Sequence, residues 1–480
     1  MRELWSARRA SRTLALAAPL FVGLAATTAH ATVAISNAST KNMSCSGNVC
    51  SPTAADAVLN ASDLQTMLAS ANVTVTSGSL ARGIVVAAPL TWTSGVTLTL
   101  DAWRSLTVKQ PVSVTGTGGL TILTNDGGAG GIYSFGSKGH VTFASLSSPL
   151  TINNKAYTLV NSLGMLAGDT FNYPVGFYAL ANSYDASADG TYVSAPITST
   201  FFGIFDGLGN TVSKLSIDDV GPGDHVGLFS ELDGTVENLA LVDATINADS
   251  RSQVGSQVGG FAGHGSGATI SHDRISGSIT GGGKSSVGGL LGTGSATIAY
   301  SSSAASVSAG RGAAGGLVGS DEGSNISQSF ASGAVSMRGP GEAGGFIGSA
   351  HDGPTHVAES YATGAVSAGV RDSVAGFVAD ASQGFYVETY AAGSLSGSSV
   401  LGGFANNPPP SGPSPFSACY WDTTTSGVNT GTSNGNVAGV TGLTTTQFQS
   451  GLPAGFDPTV WAESPDINGG LPYLLANPPQ

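Results

Sequence analysis

A short element recurs seven times in the second half of the sequence, and this repeat constrains the fold more than any other feature. Each copy begins with a glycine that is followed by leucine or phenylalanine. The copies begin at Gly227, Gly260, Gly289, Gly316, Gly345, Gly376 and Gly403, at spacings of 27 to 33 residues. A period of this length is typical of solenoids, in which each unit is too small to bury its own apolar face and stacks on the next.

Apolar and polar residues alternate over short stretches within each copy, as in SYATGAVSAG at 360–369. Such alternation, bounded by Gly, Ser or Asn, predicts short β-strands. We predict three strands per copy, with Leu317, Ile326 and Val335 as their apolar positions in one copy. Each copy then forms one coil, and equivalent strands of neighbouring coils pair in parallel about 4.8 Å apart.

Glycine accounts for 70 of the 480 residues. We expect it at sharp turns that need left-handed backbone angles, and wherever neighbouring backbones come close. A phosphate-binding loop is excluded for GGGKSS at 281–286, because Ser278 stands where that motif requires glycine.

Four segments follow from these patterns. Residues 1–31 have a basic start, an apolar core and a small-x-small end, which predicts a secretory signal peptide; an N-terminal membrane anchor is the alternative. Residues 32–200 are rich in strands without a strict period, with short helices at 63–70 and within 160–168. Residues 201–405 form the repeat solenoid, and residues 406–480 form a proline-rich break and a C-terminal cap.

Without residues 1–31 the chain has 13 basic and 29 acidic residues, so its net charge is about −16. This charge argues against nucleic acid and anionic membranes as partners. No later stretch is apolar over the roughly 18 residues that a membrane span needs, so we expect none after signal removal.

The chain has three cysteines. Cys45 and Cys50 lie close together after the signal peptide, and in an exported chain we expect them to form a local disulfide; free thiols are the alternative. Cys419 is left over, and we expect a buried free thiol.

Candidate catalytic groups are few. His264 and His272 fall within one copy, and Asp206, Asp218, Asp219, Asp224 and Asp233 cluster around the first copies. Carboxylates that converge in a groove would indicate a polysaccharide lyase or hydrolase. We interpret these groups, and Asp321, Glu322 and Asp352, as solvated turn residues, and we predict no catalytic, metal-binding or cofactor-binding residue.

The copies VGGFAG, VGGLLG, AGGLVG and AGGFIG resemble the GLUG motif of bacterial secreted and surface proteins, and GIFDGLGNTVSKLSI and YWDTTTSG resemble its flanks. The strands GVTLTLDAWRSLTV and VSVTGTGGLTIL resemble the right-handed β-helix of filamentous haemagglutinin-like exoproteins. Some GLUG-bearing proteins are immunoglobulin A metallopeptidases, but their zinc motif is absent here.

The resemblance implies export from a Gram-negative cell and a surface or adhesive role. We therefore expect an all-β protein, mainly a right-handed parallel β-helix, located outside the cell or on its outer surface, with the periplasm as an alternative. Its outer faces, with Tyr361, Tyr386 and Tyr390, would bind glycans or proteins of a host or neighbouring cell, and an outer-membrane protein could serve as export partner. The alternatives are a polysaccharide-active enzyme on the same scaffold and a passive envelope scaffold.

Overall fold

The structure is a computed structural model. The structure describes residues 31–128, 130–221, 223–248, 254–369, 372–397, 400–409 and 414–479. The predicted signal peptide lies outside these residues, apart from Ala31.

Strands make up 47% of the chain and helices 9%, and the strands wind into a β-solenoid of about 12 turns. The predicted all-β parallel solenoid is therefore confirmed. No helix in the described ranges combines the length and the apolar composition that crossing a membrane requires.

The first part of the solenoid consists of three sheets of parallel strands. Within each strand the side chains alternate between buried and partly exposed, as in Val33 and Ile35, because successive residues of a strand point to opposite faces. Its strands are Thr32–Ser36, Ala57–Asn60, Gly83–Val86, Leu106–Val108 and Tyr133–Phe135; Val49–Pro52, Val73–Thr76, Thr97–Asp101, Gly119–Leu123 and Leu150–Ile152; and Leu90–Trp92, Val112–Val114 and Val141–Phe143, with Met43–Ser46 antiparallel to Val49–Pro52.

An antiparallel pair, Leu150–Ile152 with Lys155–Val160, leads into the second part. Parallel stacking of this second part already begins at Phe177–Leu180. This strand precedes residue 201, where the predicted repeat solenoid begins.

The second part has five strand positions per coil. The first position holds Lys155–Val160, Phe177–Leu180, Ile204–Asp206, Thr235–Glu237, Ala262–Ser271, Leu291–Ala299, Asn325–Ser327, Thr355–Ala362, Gly384–Ala391, Phe416–Asp422 and Val440–Leu443; the second holds Tyr184–Asp185, Thr211–Ser213, Ala240–Ala248, Arg274–Gly281, Ser302–Ser303 and Phe330–Ala331; the third holds Thr191–Tyr192, Ser216–Asp218, Ser306–Ala309, Val335–Met337, Val366–Ser367 and Leu395–Ser396; the fourth holds His225–Val226, Gln257–Val258, Ser286–Gly288, Gly312–Gly315, Gly341–Gly344, Ser373–Ala375 and Val400–Gly402; the fifth holds Phe229–Leu232, Val318–Asp321, Ile347–Ala350 and Val378–Asp380. Several long strands turn a corner and serve two positions.

The prediction of three strands per copy is therefore wrong. The second and fourth positions were missed. Strands of the second position are as short as Phe330–Ala331, and strands of the fourth position, such as Gly341–Gly344, are rich in Gly and Ala, which have low strand propensity. The apolar ladder inside the coil follows the prediction. The Leu or Phe after each repeat glycine is fully buried, and Phe346, Phe377 and Phe404 stack at 4.6 and 5.0 Å between ring centroids.

The repeat glycines serve close packing between coils, and none of them has a left-handed backbone. A Cβ added to Gly316 would come within 3 Å of the carbonyl oxygen of Gly345, and Gly289 and Gly345 stand in the same relation to the next coil. Glycine does occupy left-handed positions at other turns, as predicted, including Gly267, Gly294 and Gly323. At one further turn the left-handed position is held by other residues, so the prediction of glycine is wrong there. One residue per coil has a positive φ there, and these residues are Asn238, His272, Tyr300, Gln328, Glu359, Glu388 and Ala418.

The helices are short. Ala61–Leu68 begins at Asn60, whose side chain accepts from the N–H groups of Ser62 and Asp63, and Leu163–Asn172 begins at Ser162. These are the two helices that the sequence predicts. The others are Gly78–Ala81, Thr423–Ser426 and Thr445–Phe448, with 3-10 turns at Ala186–Asp189 and Asn468–Gly470.

The C-terminal segment packs beside the coils. Its short antiparallel pair, Trp461–Ala462 with Tyr473–Leu474, places Trp461 in a cluster with Tyr361 and Tyr390. The Tyr390 hydroxyl donates to the carbonyl of Pro472 at 2.6 Å. The segment therefore covers a side of the repeats.

Candidate functional site

The five acids that the sequence groups around the first copies do not all converge on one place. Asp218, Asp219 and Asp224 line one cleft of about 460 Å³ together with His225. Asp233 lies half-buried and accepts from the N–H of Ser266 at 3.2 Å.

Asp206 and Asp219 are both buried, so the interpretation of these two residues as solvated turn acids is wrong. Asp206 is fully buried. It lies beneath the first part of the solenoid with Glu237, its partner in the strand register, and with the buried Asp273. Burial first, and then the charge of Glu237, raises the pKa of Asp206 and of Asp273 well above the usual range. Burial raises the pKa of Glu237 to about 7. The Tyr133 hydroxyl donates to a carboxylate oxygen of Glu237 at 3.4 Å.

The cleft is acidic on one side. Burial, together with the neighbouring carboxylate of Asp224, raises the pKa of Asp219. Asp218 is exposed and accepts from the Asn247 amide at 2.6 Å. The cleft therefore carries negative charge next to His225.

His225 and His264 come together, which the sequence analysis missed. Their rings stack at 5.2 Å between centroids, and Nδ1 of His225 lies 3.2 Å from Oε1 of Glu231. Glu231 and His264 are register partners on adjacent coils. One nitrogen or oxygen from each of His225, Glu231 and His264 falls within 4.8 Å of the others. Aligning the copies would have shown this contact, because Glu231 and His264 both stand four residues after their repeat glycine.

His272 lies apart from this group. It is half-buried and stacks on Tyr300 at 4.7 Å, and burial lowers its pKa to about 4. Its interpretation as a solvated turn residue is therefore wrong.

Asp321 is fully buried, so its interpretation as a solvated turn residue is also wrong. Its carboxylate accepts from the N–H of Ser324 at 3.0 Å and from the Thr355 hydroxyl, and so it holds a turn. Glu322 and Asp352 are exposed, and Asp352 lies 2.9 Å from the imidazole of His351.

The surface of the first strand position becomes exposed in the later coils. We call the exposed row on this surface the outer face; it runs through Thr297, Asn325, His356 and Phe385, with Val387 beside it. The rings of His356 and Phe385 stack at 5.2 Å with an angle of 12° between their planes. Phe385 is 52% exposed and Val387 is 41% exposed.

The three tyrosines predicted to contact a ligand are not on this face. Tyr361, Tyr386 and Tyr390 are fully buried. Tyr386 packs inside the coil against Phe416, and the other two lie under the C-terminal segment. The prediction that they contact glycans or proteins is wrong.

Cys45 and Cys50 are joined by a disulfide that closes the hairpin of Met43–Ser46 and Val49–Pro52. Cys419 is buried and free, as predicted, and burial raises its pKa to about 11.

No protein-family model matches the chain. A stretch of 198 residues, 39% of the chain, is 33% identical to a protein named halomucin from Haloquadratum walsbyi, and the match spans 2% of that protein's length. A crystal structure described as a candidate immunoglobulin A1 protease from Bacteroides ovatus has 20% sequence identity and a TM-score of 0.44, covering 67% of this chain and 92% of that one. Neither similarity assigns the chain to a family, and the GLUG resemblance stays a prediction.

Proposed function

We propose that the protein is an exported, adhesin-like bacterial β-solenoid that binds glycans through its outer face and performs no catalysis. The observation that carries this proposal is the exposed, stacked pair of His356 and Phe385 on a strand surface. The proposed location is the outer cell surface or the extracellular space of a Gram-negative bacterium.

Two properties of the outer face suit a sugar. An exposed aromatic ring offers an apolar surface on which the C–H face of a sugar ring can pack, and Val387 extends that surface. Thr297 and Asn325, in the same row, offer a hydroxyl and an amide that donate and accept hydrogen bonds. The parallel register repeats these groups at about 4.8 Å per coil, which presents a regular surface to an extended polymer.

Catalysis by paired carboxylates finds no support in the geometry. Hydrolysis of a polysaccharide needs an acid and a base on the two sides of one bond. Asp206 is fully buried, while Asp218 is exposed and bound to Asn247.

The test is binding of the purified exported chain to a glycan array, followed by titration of the best ligand. Phe385→Ala and His356→Ala should each weaken binding about tenfold or more, because each removes half of the stacked platform. Phe171→Ala is the matched control, since Phe171 is 75% exposed and lies outside the outer face. Absence of binding to every glycan would contradict the proposal and favour a passive scaffold.

A further inference from the structure

A group of two imidazoles and a carboxylate lies at the first two repeats, away from the outer face. His225 comes from strand His225–Val226, Glu231 from Phe229–Leu232 and His264 from Ala262–Ser271. The potential donor atoms of the three side chains lie within 4.8 Å of one another. Ligand atoms around a tetrahedral zinc ion are about 3.4 Å apart, since each bond measures roughly 2.0–2.1 Å. Small side-chain rotations would therefore bring the three donors to one ion.

The carboxylate of this group is held in place. One of its oxygens accepts from the Thr200 hydroxyl at 2.6 Å, and the other faces Nδ1 of His225 at 3.2 Å. A hydrogen bond to the second oxygen of a ligand is a common feature of metal sites, because it fixes the orientation of the ligand.

The register partners of the two histidines on neighbouring coils have unusual side-chain oxygens. Gln257 is the register partner of His225, and Thr293 is that of His264 on the next coil. Each has a buried side-chain oxygen, Oε1 of Gln257 and Oγ1 of Thr293, without a hydrogen-bond partner among the described residues. Buried polar atoms without partners are rare, and both of these atoms belong to residues in register with the two histidines.

We propose that His225, Glu231 and His264 bind one divalent transition-metal ion of the zinc class. Imidazole donors favour zinc and its neighbours over calcium or magnesium, which take oxygen ligands. Asp218, Asp219 and Asp224 line the cleft beside His225 and supply a negative field that attracts a cation. The ion would join the first repeat coil to the second, and the three protein ligands would leave a coordination position toward the cleft.

The competing explanation is an ordinary imidazole–carboxylate contact with no metal. The chain contains a matched example of such a contact, because His351 pairs with Asp352 at 2.9 Å. Both partners of that pair are exposed. His351→Gln is therefore the control for the substitutions at the proposed site.

The experiment is isothermal titration calorimetry of zinc chloride into the tag-free, chelator-treated exported chain. We expect one ion per chain with a Kd of about 1 µM or tighter. His264→Gln and the near-isosteric Glu231→Gln should each weaken binding by roughly 100-fold, whereas His351→Gln should leave it unchanged. Cobalt substitution should give visible absorption of a low-coordinate site in the wild type and lose it in His264→Gln, while circular dichroism verifies the fold of each variant.

Zinc should also raise the Tm of the wild type and not that of Glu231→Gln, because only a folded chain with the complete site gains from the ion. No heat of binding in the wild type would overturn the proposal. Unchanged affinity in both His264→Gln and Glu231→Gln would overturn it as well, since the ion would then bind elsewhere. Glycan binding that survives the loss of zinc would separate this site from the outer face, on which the proposed function rests.

Discussion

The Asn477 side chain donates hydrogen bonds to the carbonyls of Ser301 at 3.2 Å and of Gln328 at 3.1 Å. The first of these contacts spans 176 residues of sequence. The last residues of the described chain therefore run back along two coils in the middle of the repeats. This return path buries Tyr361 and Tyr390, because Trp461 and Phe448 pack over their rings.

The first prediction concerns this lateral packing. Trp461→Ala should lower the free energy of unfolding by about 3–5 kcal/mol, because it empties a fully buried position in the cluster. Trp103→Ala is the control and should cost clearly less, since Trp103 is 36% exposed. Denaturant unfolding followed by fluorescence measures both values. A negligible loss in Trp461→Ala would show that this packing contributes little to stability.

The second prediction concerns the repeat glycines. Gly316→Ala should destabilise the fold by about 1–3 kcal/mol, because its Cβ would collide with the carbonyl oxygen of Gly345 on the next coil. Gly164→Ala provides a control of opposite sign. Gly164 lies exposed in helix Leu163–Asn172 with open space around it, so alanine there should stabilise by roughly 0.5–1 kcal/mol. A neutral effect of Gly316→Ala on the Tm would contradict close packing at this glycine.

The third prediction concerns pH. Burial raises the pKa of Glu237 from 4.5 to about 7. Between pH 4.5 and pH 7, the folded state therefore holds a proton on Glu237 that the unfolded state has already released. The contribution of Glu237 to stability therefore decreases as pH rises from about 4.5 to 7. His272, whose pKa is lowered to about 4, acts in the opposite direction, since its unfolded form gains a proton as pH falls below 6.5.

Glu237→Gln separates these two effects. The variant should be more stable than the wild type at pH 7.5, and the difference should shrink toward pH 4.5, because glutamine stays neutral throughout. Glu322→Gln, at an exposed position, is the control and should follow the wild type. The unfolding midpoints of the variants and the wild type, measured across this pH range, test this prediction. A difference between Glu237→Gln and the wild type that stays constant with pH would contradict the assigned titration of Glu237.

The fourth prediction concerns the thiols. A thiol reagent should detect no cysteine in the native protein, because Cys419 is buried with a raised pKa and the other two are joined. It should detect one thiol after denaturation and three after denaturation with reduction. Two or more thiols in the native state would exclude the disulfide between Cys45 and Cys50.

Some of the physical signals that determine this fold are local in the sequence. The stacking of coils follows from the glycine repeat, because the apolar residue after each glycine has only the next coil to pack against. Strand Gly341–Gly344 was not predicted because three of its four residues are glycine or alanine, and the fit of its glycines to the neighbouring backbone is visible only in three dimensions.

The candidate sites depend on contacts between distant residues. Tyr361 is buried because the C-terminal segment packs back onto the repeats, and no local sequence pattern predicts this packing. The contact between Glu231 and His264 follows from the register of two coils, and it could have been inferred from the alignment of the copies. The exposed pair of His356 and Phe385 results from the same register.

The most direct test of the proposed function is the affinity of Phe385→Ala for the best glycan ligand, measured beside Phe171→Ala. We predict that Phe385→Ala loses about tenfold or more in affinity while Phe171→Ala binds like the wild type. Unchanged binding by Phe385→Ala, or loss confined to Phe171→Ala, would contradict the assignment of glycan binding to the outer face.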